Sequence, residues 1–315
     1  MSTLPTTPPP NRNVHRFAVF TACCTFLLLI AGALVTSNDA GLSVPDWPLS
    51  YGSLTPPMVG GIFYEHGHRV IAACVGLLSI ILAVWLWRVE TRRWVRWLGV
   101  AAVGAVIAQG ILGGITVLFF LPAPISAAHA TLAQLFFCTV VSIAFFTSAW
   151  WQRQRPAVRD AGAPAIHALA QAAAIATLAQ LVLGAAFRHK AFGIIPHLFG
   201  AVVVTGLIFW LAGVLKRRFA DVPELRNCAR VLHGLIGLQL LLGGAAWWSR
   251  SYAAQFPQPI PVMVTFTVVH TVTGAVVLAA TVVTALACYR LVGRSDAFAV
   301  RAGSSGSSQP QQAAL

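Results

Sequence analysis

The chain has 315 residues, 57% of them apolar and 9% charged, with a net charge of +13 and a mean hydropathy of +0.76. Soluble globular domains carry about 25% charged residues, so this composition cannot clothe a water-facing surface. It excludes a cytosolic enzyme, a disordered scaffold and a secreted disulfide module. The basic excess sits in short clusters between long uncharged runs, which is loop charge on an inner-membrane protein and not a nucleic-acid-binding face.

In chain order, the first fifteen residues, MSTLPTTPPPNRNVH, are polar and proline-rich. They lack the apolar core and cleavage site of a secretory signal, so 1–15 is expected to be a disordered cytoplasmic N-terminus, and the first apolar run a retained span. A helix needs about 20 apolar residues to cross the hydrocarbon core. Such stretches run Phe17–Thr36, Val70–Trp87, Trp97–Phe120, Ala128–Trp151, Ala165–Phe187, Pro196–Leu215, Val231–Ser249 and Val262–Tyr289, the second extended by the helix turn before it. Nothing alternates as barrel strands would, and helices satisfy their own backbone groups within the span. The residues 293–315, low in complexity from Gly303, form an expected disordered cytoplasmic tail. The expected fold is all-α: a polytopic integral membrane protein with eight transmembrane helices.

Of the 21 basic residues, 17 fall on one side of this topology, in clusters that include Arg92, Arg93, Arg155, Lys216, Arg230, Arg294 and Arg301. Only Arg69, Arg188, Lys190 and Arg250 fall on the other. This asymmetry places both termini in the cytoplasm of a bacterial plasma membrane and agrees with an even number of spans. The six cysteines, Cys23, Cys24, Cys74, Cys138, Cys228 and Cys288, lie in helices or on the cytoplasmic side, so no periplasmic disulfide is expected.

An internal repeat runs through the spans. The third contains Gln109-Gly-Ile-Leu-Gly-Gly114, the seventh Gln239-Leu-Leu-Leu-Gly-Gly244, and the fifth the echo Gln180-Leu-Val-Leu-Gly184. Gln109 and Gln239 are 130 residues apart, His68 and His197 129, His129 and His270 141. Helices 1–4 and 5–8 therefore read as two copies of one four-helix bundle, 16–160 and 161–292. Small-residue helix packing explains the short motif alone. It does not explain the coincidence of motif, offset and histidine position.

Four histidines, His68, His129, His197 and His270, head the even-numbered helices at their outer ends. An imidazole in a span is costly unless it faces the bundle interior with a partner. Facing helices can place two imidazoles on opposite sides of a flat macrocycle, and axial histidine is a principal haem ligand. Two such pairs imply two haem irons, one between His68 and His129, one between His197 and His270. Zinc would want a third or fourth ligand, with cysteine or carboxylate nearby. Four other histidines read as structural, His15 and His189 at interfaces or loops and His167 and His233 at cytoplasmic helix ends, while His66 is left open, since it stands beside the site without a repeat partner.

Among the acidic residues only Glu65 opens a span, in Tyr64-Glu-His-Gly-His-Arg69. It shares a helix face with His68 and is spaced to pair with Arg69. The pair either anchors the helix end or sets a carboxylate beside a haem ligand, where it can steady a developing cation or accept a proton. The second repeat has Ile194-Ile-Pro-His197 instead. The acid-bearing N-terminal site is therefore expected to do chemistry and the apolar C-terminal site to hold a resident haem. The outer loop 37–52, punctuated by Gly, Pro and Asp with Trp47 and Tyr51 interleaved, is expected to be a structured lid over the N-terminal site.

The loop GLSVPDWPLSYG (41–52), the segment EHGHR (65–69), the eight helices in two repeats and the four outer histidines together resemble the haem A synthase family over roughly residues 16–292. The resemblance implies oxidation of haem O to haem A for haem-copper oxidases, with a porphyrin-edge methyl converted to a formyl group by successive hydroxylations. It implies His68 and His129 as axial ligands of the substrate haem and Glu65 as the catalytic carboxylate. It implies His197 and His270 as ligands of a haem b that passes electrons, and Arg69 as a propionate partner or site support. It also implies haem O synthase and oxidase assembly factors as partners, in membrane lipid and without nucleic acid, and leaves a homo-oligomer open. The outer-loop cysteine pair of some members has no counterpart here, which leaves the histidine and glutamate chemistry untouched. A different class, a non-catalytic di-haem b-type electron carrier or haem-handling protein, would keep the four histidines but has no need for one acid at one site. A transporter would want its polar residues and helix breaks near mid-membrane.

Overall fold

The computed structural model describes residues 11–293. Their elements, in order, are α1 (Arg12–Ser37), α2 (Gly60–Val89), α3 (Arg93–Leu118), α4 (Ala123–Thr147), the short α5 (Ala149–Gln152), β1 (Val158–Arg159), α6 (Ile166–Arg188), α7 (Ile195–Arg218), α8 (Pro223–Ala253), α9 (Pro261–Leu291) and β2 (Val292–Gly293). All helices but α5 are long and apolar enough to cross a membrane, eight in total, so the chain is a multi-pass α-helical membrane protein. Arg294, Arg301 and the expected disordered tail lie outside the described residues, as do residues 1–10.

The helices outrun their apolar stretches, because backbone hydrogen bonding does not stop where the hydrocarbon stops. α1 starts at Arg12, inside the segment expected to be disordered, because the Asn11 side chain caps it by accepting from the Asn13 and Val14 amides at 3.1 and 3.2 Å. α2 starts ten residues before Val70, which carries Glu65, His66, His68 and Arg69 into its first turns. The fourth apolar stretch breaks at Ser148, whose hydroxyl caps α5 through the Trp151 amide. Proline stands in the first turn of α4, α7, α8 and α9, where its missing N–H costs nothing.

α1 packs on α2, α2 on α3 and α3 on α4, and α4 closes on α1. The helices α6, α7, α8 and α9 form a second ring in the same order. This is compatible with a duplicated four-helix unit. It sets α2 diagonally opposite α4, and α7 opposite α9. The rings meet through α1 and α4 on one side and α6 and α9 on the other. α4 and α9 are accordingly the inner helices: 56% and 67% of their most apolar windows are buried, against 17–33% in the others. Phe137 and Cys138 of α4 pack there with Ala275, Leu278 and Ala279 of α9.

The tight cores lie toward the end that carries the basic clusters. Val75, Leu82, Leu86, Val95 and Ile143 fill one ring. Ile166, Ile208, Leu211, Leu215, Leu225 and Leu232 fill the other. Toward the opposite end, residues 103–113 of α3, 195–203 of α7 and 237–245 of α8 include no buried residue. A helix in a filled ring buries the face turned to the ring axis. These segments do not, so the rings are more loosely packed at the end where the four histidines stand.

Candidate functional site

His68 and His129 project from the diagonal helices α2 and α4, His197 and His270 from α7 and α9. Each ring lies edge-on against a glycine of the preceding helix. A Cβ added at Gly32 would stand 3.1 Å from Cε1 of His68, one at Gly113 3.5 Å from that of His129, one at Gly184 2.9 Å from that of His197, and one at Gly243 3.1 Å from that of His270. In every case Cε1 is the ring atom nearest the glycine; for His68, His197 and His270, Nδ1 comes next and Nε2 third. Nδ1 of His68, His129 and His270 is sealed from solvent without a well-formed partner, while Nε2 of none of the four is sealed and unpartnered. The carbonyls of Gln109 and Gln239 face the His129 and His270 rings, though not in full hydrogen-bond geometry. The sequence motif thus gains a physical reason: its first glycine lets an imidazole edge approach the neighbouring backbone.

The ring centres of His197 and His270 are 6.3 Å apart, with planes at 88°. Two imidazoles sharing one metal through Nε2, at about 2 Å per metal–nitrogen bond and about 1 Å from nitrogen to ring centre, stand about 6 Å apart. The observed gap therefore fits an iron between them. His68 and His129 stand on the diagonal helices of the N-terminal ring as His197 and His270 do on those of the C-terminal ring. Among the described residues no three or more His, Cys, Asp or Glu side chains gather as a tetrahedral ion would require. What the chain offers is paired imidazoles at the loosely packed ends of the rings, a donor set that suits haem.

The EHGHR segment divides its labour. His68 faces the ring interior, while Glu65, His66 and Arg69 hold the loop between α1 and α2. Glu65 is only 4% exposed. Its Oε1 accepts from Arg69 Nη2 at 2.7 Å and its Oε2 from the Val44 amide at 2.8 Å. Arg69 also donates from Nη1 to the carbonyls of Asp46 and Leu49, both at 2.7 Å. His66 Nδ1 and Ser50 Oγ are hydrogen-bonded at 2.8 Å. The Glu65–Arg69 pair expected from spacing exists, and it anchors a loop as well as a helix end.

The loop is ordered from within too. Tyr51 and Gly52 take φ +54° and +66°, and Ser50 and Ser53 exchange both backbone hydrogen bonds at 3.0 Å, a tight turn of left-handed residues. The Asp46 carboxylate accepts from the Tyr51 and Gly52 amides at 2.7 and 2.8 Å. Those two amides, Gly52 first, hold the Asp46 carboxyl below its usual range, with Arg69 adding to them. The Trp47 ring crosses to α3, where a Cβ on Gly114 would sit 2.8 Å from it. Ala40, Val44 and Ser50 are buried beneath.

The remaining histidines have structural partners. His15 bonds the Ala144 carbonyl at 3.0 Å, His167 that of Val292 at 3.1 Å and His233 that of Ala229 at 2.9 Å. His189, at the end of α6, is the residue the sequence undersold. Burial pushes its imidazole down to about 4, with Arg188 and then His129 adding to the effect. Arg188 beside it donates to Ser37 Oγ at 3.1 Å. All six cysteines are free, and none lies in a loop at the histidine end.

Fold and site together define a multi-pass α-helical membrane protein that presents paired imidazoles at the loosely packed ends of two helix rings. Residues 15–195 match the cytochrome oxidase assembly protein family. The chain is 37% identical to the heme A synthase of Shouchella clausii over 136 residues, 42% of this chain and 44% of that protein. It is 34% identical to that of Alkalihalophilus pseudofirmus over 135 residues, 42% and 45% of the two chains. With that of Symbiobacterium thermophilum the identity is 30% over 250 residues, 69% of this chain and 80% of the other. The aligned part spans less than half the length of the first two relatives. The chain belongs to the cytochrome oxidase assembly protein family.

Proposed function

We propose that the chain is a haem A synthase of a bacterial plasma membrane, with both termini cytoplasmic, acting on haem O. The observation that carries this reading is the asymmetry of two otherwise matching imidazole sites. Among the described residues only the N-terminal one has an ion-paired carboxylate and a clasped loop at its rim. The heme A synthase relatives support it.

In this reading the N-terminal ring, 16–160, takes the substrate, with His68 and His129 on opposite faces of its iron. The substrate methyl is oxidised in successive hydroxylations to a formyl group, a four-electron change whose electrons leave to an external oxidant and whose oxygen atom comes from water or dioxygen. Glu65 brings a negative charge to the site edge, where it steadies positive charge developing at the porphyrin rim. Arg69 keeps that carboxylate oriented and, with His66, holds the loop down so that water is kept from the reacting edge. Both terminal nitrogens of Arg69 are engaged with the loop and Glu65, which favours site support over a propionate contact. The C-terminal ring, 161–292, is suited to a resident haem b between His197 and His270, which when bound supplies a path for electrons. Partners with haem chemistry, a haem O synthase upstream and oxidase assembly factors downstream, follow from the family's role.

The test is pigment extraction from the full chain expressed with a haem O source. The reading predicts haem A, and it predicts that Glu65→Ala abolishes this product while haem stays bound in the C-terminal half. Haem O alone from the wild-type chain would contradict it and favour a di-haem carrier.

A further inference from the structure

A glutamine stands four residues before the ring-facing glycine in three of the four cases: Gln109 before Gly113, Gln180 before Gly184, Gln239 before Gly243. Before Gly32 the position is Leu28. Four residues is one helical turn, so the carboxamide and the glycine share the face turned to the imidazole.

In the C-terminal ring both glutamines are fastened to the turn that carries the histidine. Gln180 Nε2 donates to the His197 carbonyl at 2.8 Å and lies 3.0 Å from its Nδ1. Gln239 Nε2 donates to the His270 carbonyl at 3.2 Å. Each carboxamide lies over a glycine of the partner helix: a Cβ on Gly200 would collide with Gln180 Oε1, and one on Gly274 would reach within 3.2 Å of Gln239 Nε2. In the N-terminal ring the fastening is missing. Gln109 makes no bond to the His129 carbonyl among the described residues, and Leu28 has nothing to donate; the carboxamide oxygens of all three glutamines are sealed without a partner, so the difference lies in the Nε2 bonds alone.

We propose that Gln180 and Gln239 are positioning residues that lock the His197–His270 pair for lasting retention of its haem, and that the unlocked His68–His129 pair is built for release. This rests on the reading that both pairs hold haem. It gives that reading a physical basis for exchange at one site only. A resident cofactor gains from fixed ligands, and contacts behind a ligand typically alter metal affinity by about 10- to 100-fold.

The experiment follows haem transfer from the purified, haem-loaded full chain to an excess of apomyoglobin. The wild-type chain is expected to lose haem in a fast and a slow phase, and His197→Ala is expected to remove the slow one. Gln180→Met and Gln239→Met, close to isosteric, should speed the slow phase about 10- to 100-fold, with Gln109→Met changing neither phase by more than about twofold. Gln180→Asn keeps the carboxamide but cannot reach, and serves if the methionine variant does not assemble. The low-spin ferric EPR signal of the slow haem should shift in the Gln180 and Gln239 variants, because the rings turn; a purely structural loss of stability would not move it. A slow phase unchanged by these variants, or an equal effect at Gln109, overturns the proposal. A slow phase that survives His197→Ala overturns the haem-site reading itself.

Discussion

Arg69 is the residue on which the loop at the histidine end depends. It ties the Glu65 carboxylate to the carbonyls of Asp46 and Leu49 with two nitrogens in a fixed plane. Lysine has one nitrogen and no plane to offer. Arg69→Lys is therefore expected to leave the helices intact and to open segment 41–52 to limited proteolysis, with cleavage at least about tenfold faster than in the wild-type chain, as loss of several charge-assisted bonds implies. Asp46 sets the pH limit of the same loop. Its folded carboxyl lies below the usual range because the Gly52 and Tyr51 amides donate to its charged form. A lowered carboxyl value adds stability above about 3.9, the ordinary aspartate value, and that stability is lost as pH falls through the lowered value. Amide-exchange protection at Tyr51 and Gly52 should hold steady from neutral pH to about 5 and collapse below about 4. Asp46→Asn should weaken it at every pH. At this scale the sequence showed Glu65, Arg69 and the four histidines as a constellation. It did not show that Val44 N–H and Ser50 Oγ are their partners, because a main-chain amide and a serine in a loop carry no signature of what they will face.

The elements owe their function to small residues at close approaches. Gly184 and Gly243 admit the edges of His197 and His270, whereas a Cβ on Gly244 would meet nothing within 4 Å. Gly184→Ala and Gly243→Ala should displace the ring and weaken haem retention in the C-terminal half about tenfold or more. Gly244→Ala should match the wild-type chain. Equal retention in Gly184→Ala and Gly244→Ala would contradict the role given to the first glycine. The repeated Gln-x-x-Leu-Gly pattern was legible in the sequence as an echo, but its meaning was not. Helices that are apolar all round give no periodicity from which to read a buried face. The face appears only once α8 is set beside α9 and Gly243 is found against His270. Helix ends were misjudged for a related reason. Hydropathy marks the hydrocarbon, while Asn11 and Ser148 mark where backbone bonding begins.

Across the whole molecule, close packing and loose packing occupy opposite ends. Leu86, Ile143, Leu211 and Leu232 close the rings toward the basic clusters and give each ring a rigid base. The histidine ends are packed more loosely, and there the reading above seats a flat ligand between diagonal helices. Eight spans and the charge asymmetry were legible because they depend only on the order of apolar runs and basic clusters along the chain. The joining of the two rings through α4 and α9 was not, since burial of those two helices depends on contacts far apart in the chain. The placement of His189 and Arg188 between the rings follows from the same joining. It leaves His189 half-buried at the seam and apart from the four.

The most direct test of paired imidazoles is low-temperature EPR of the ferric full chain, purified from a host that supplies haem, beside the four single replacements His68→Ala, His129→Ala, His197→Ala and His270→Ala. The wild-type chain should give two low-spin signals of bis-imidazole iron. The first two replacements should alter one signal and the last two the other. A spectrum that none of the four replacements changes, or one that His68→Ala and His197→Ala change alike, would contradict two separate haem sites held by these four rings.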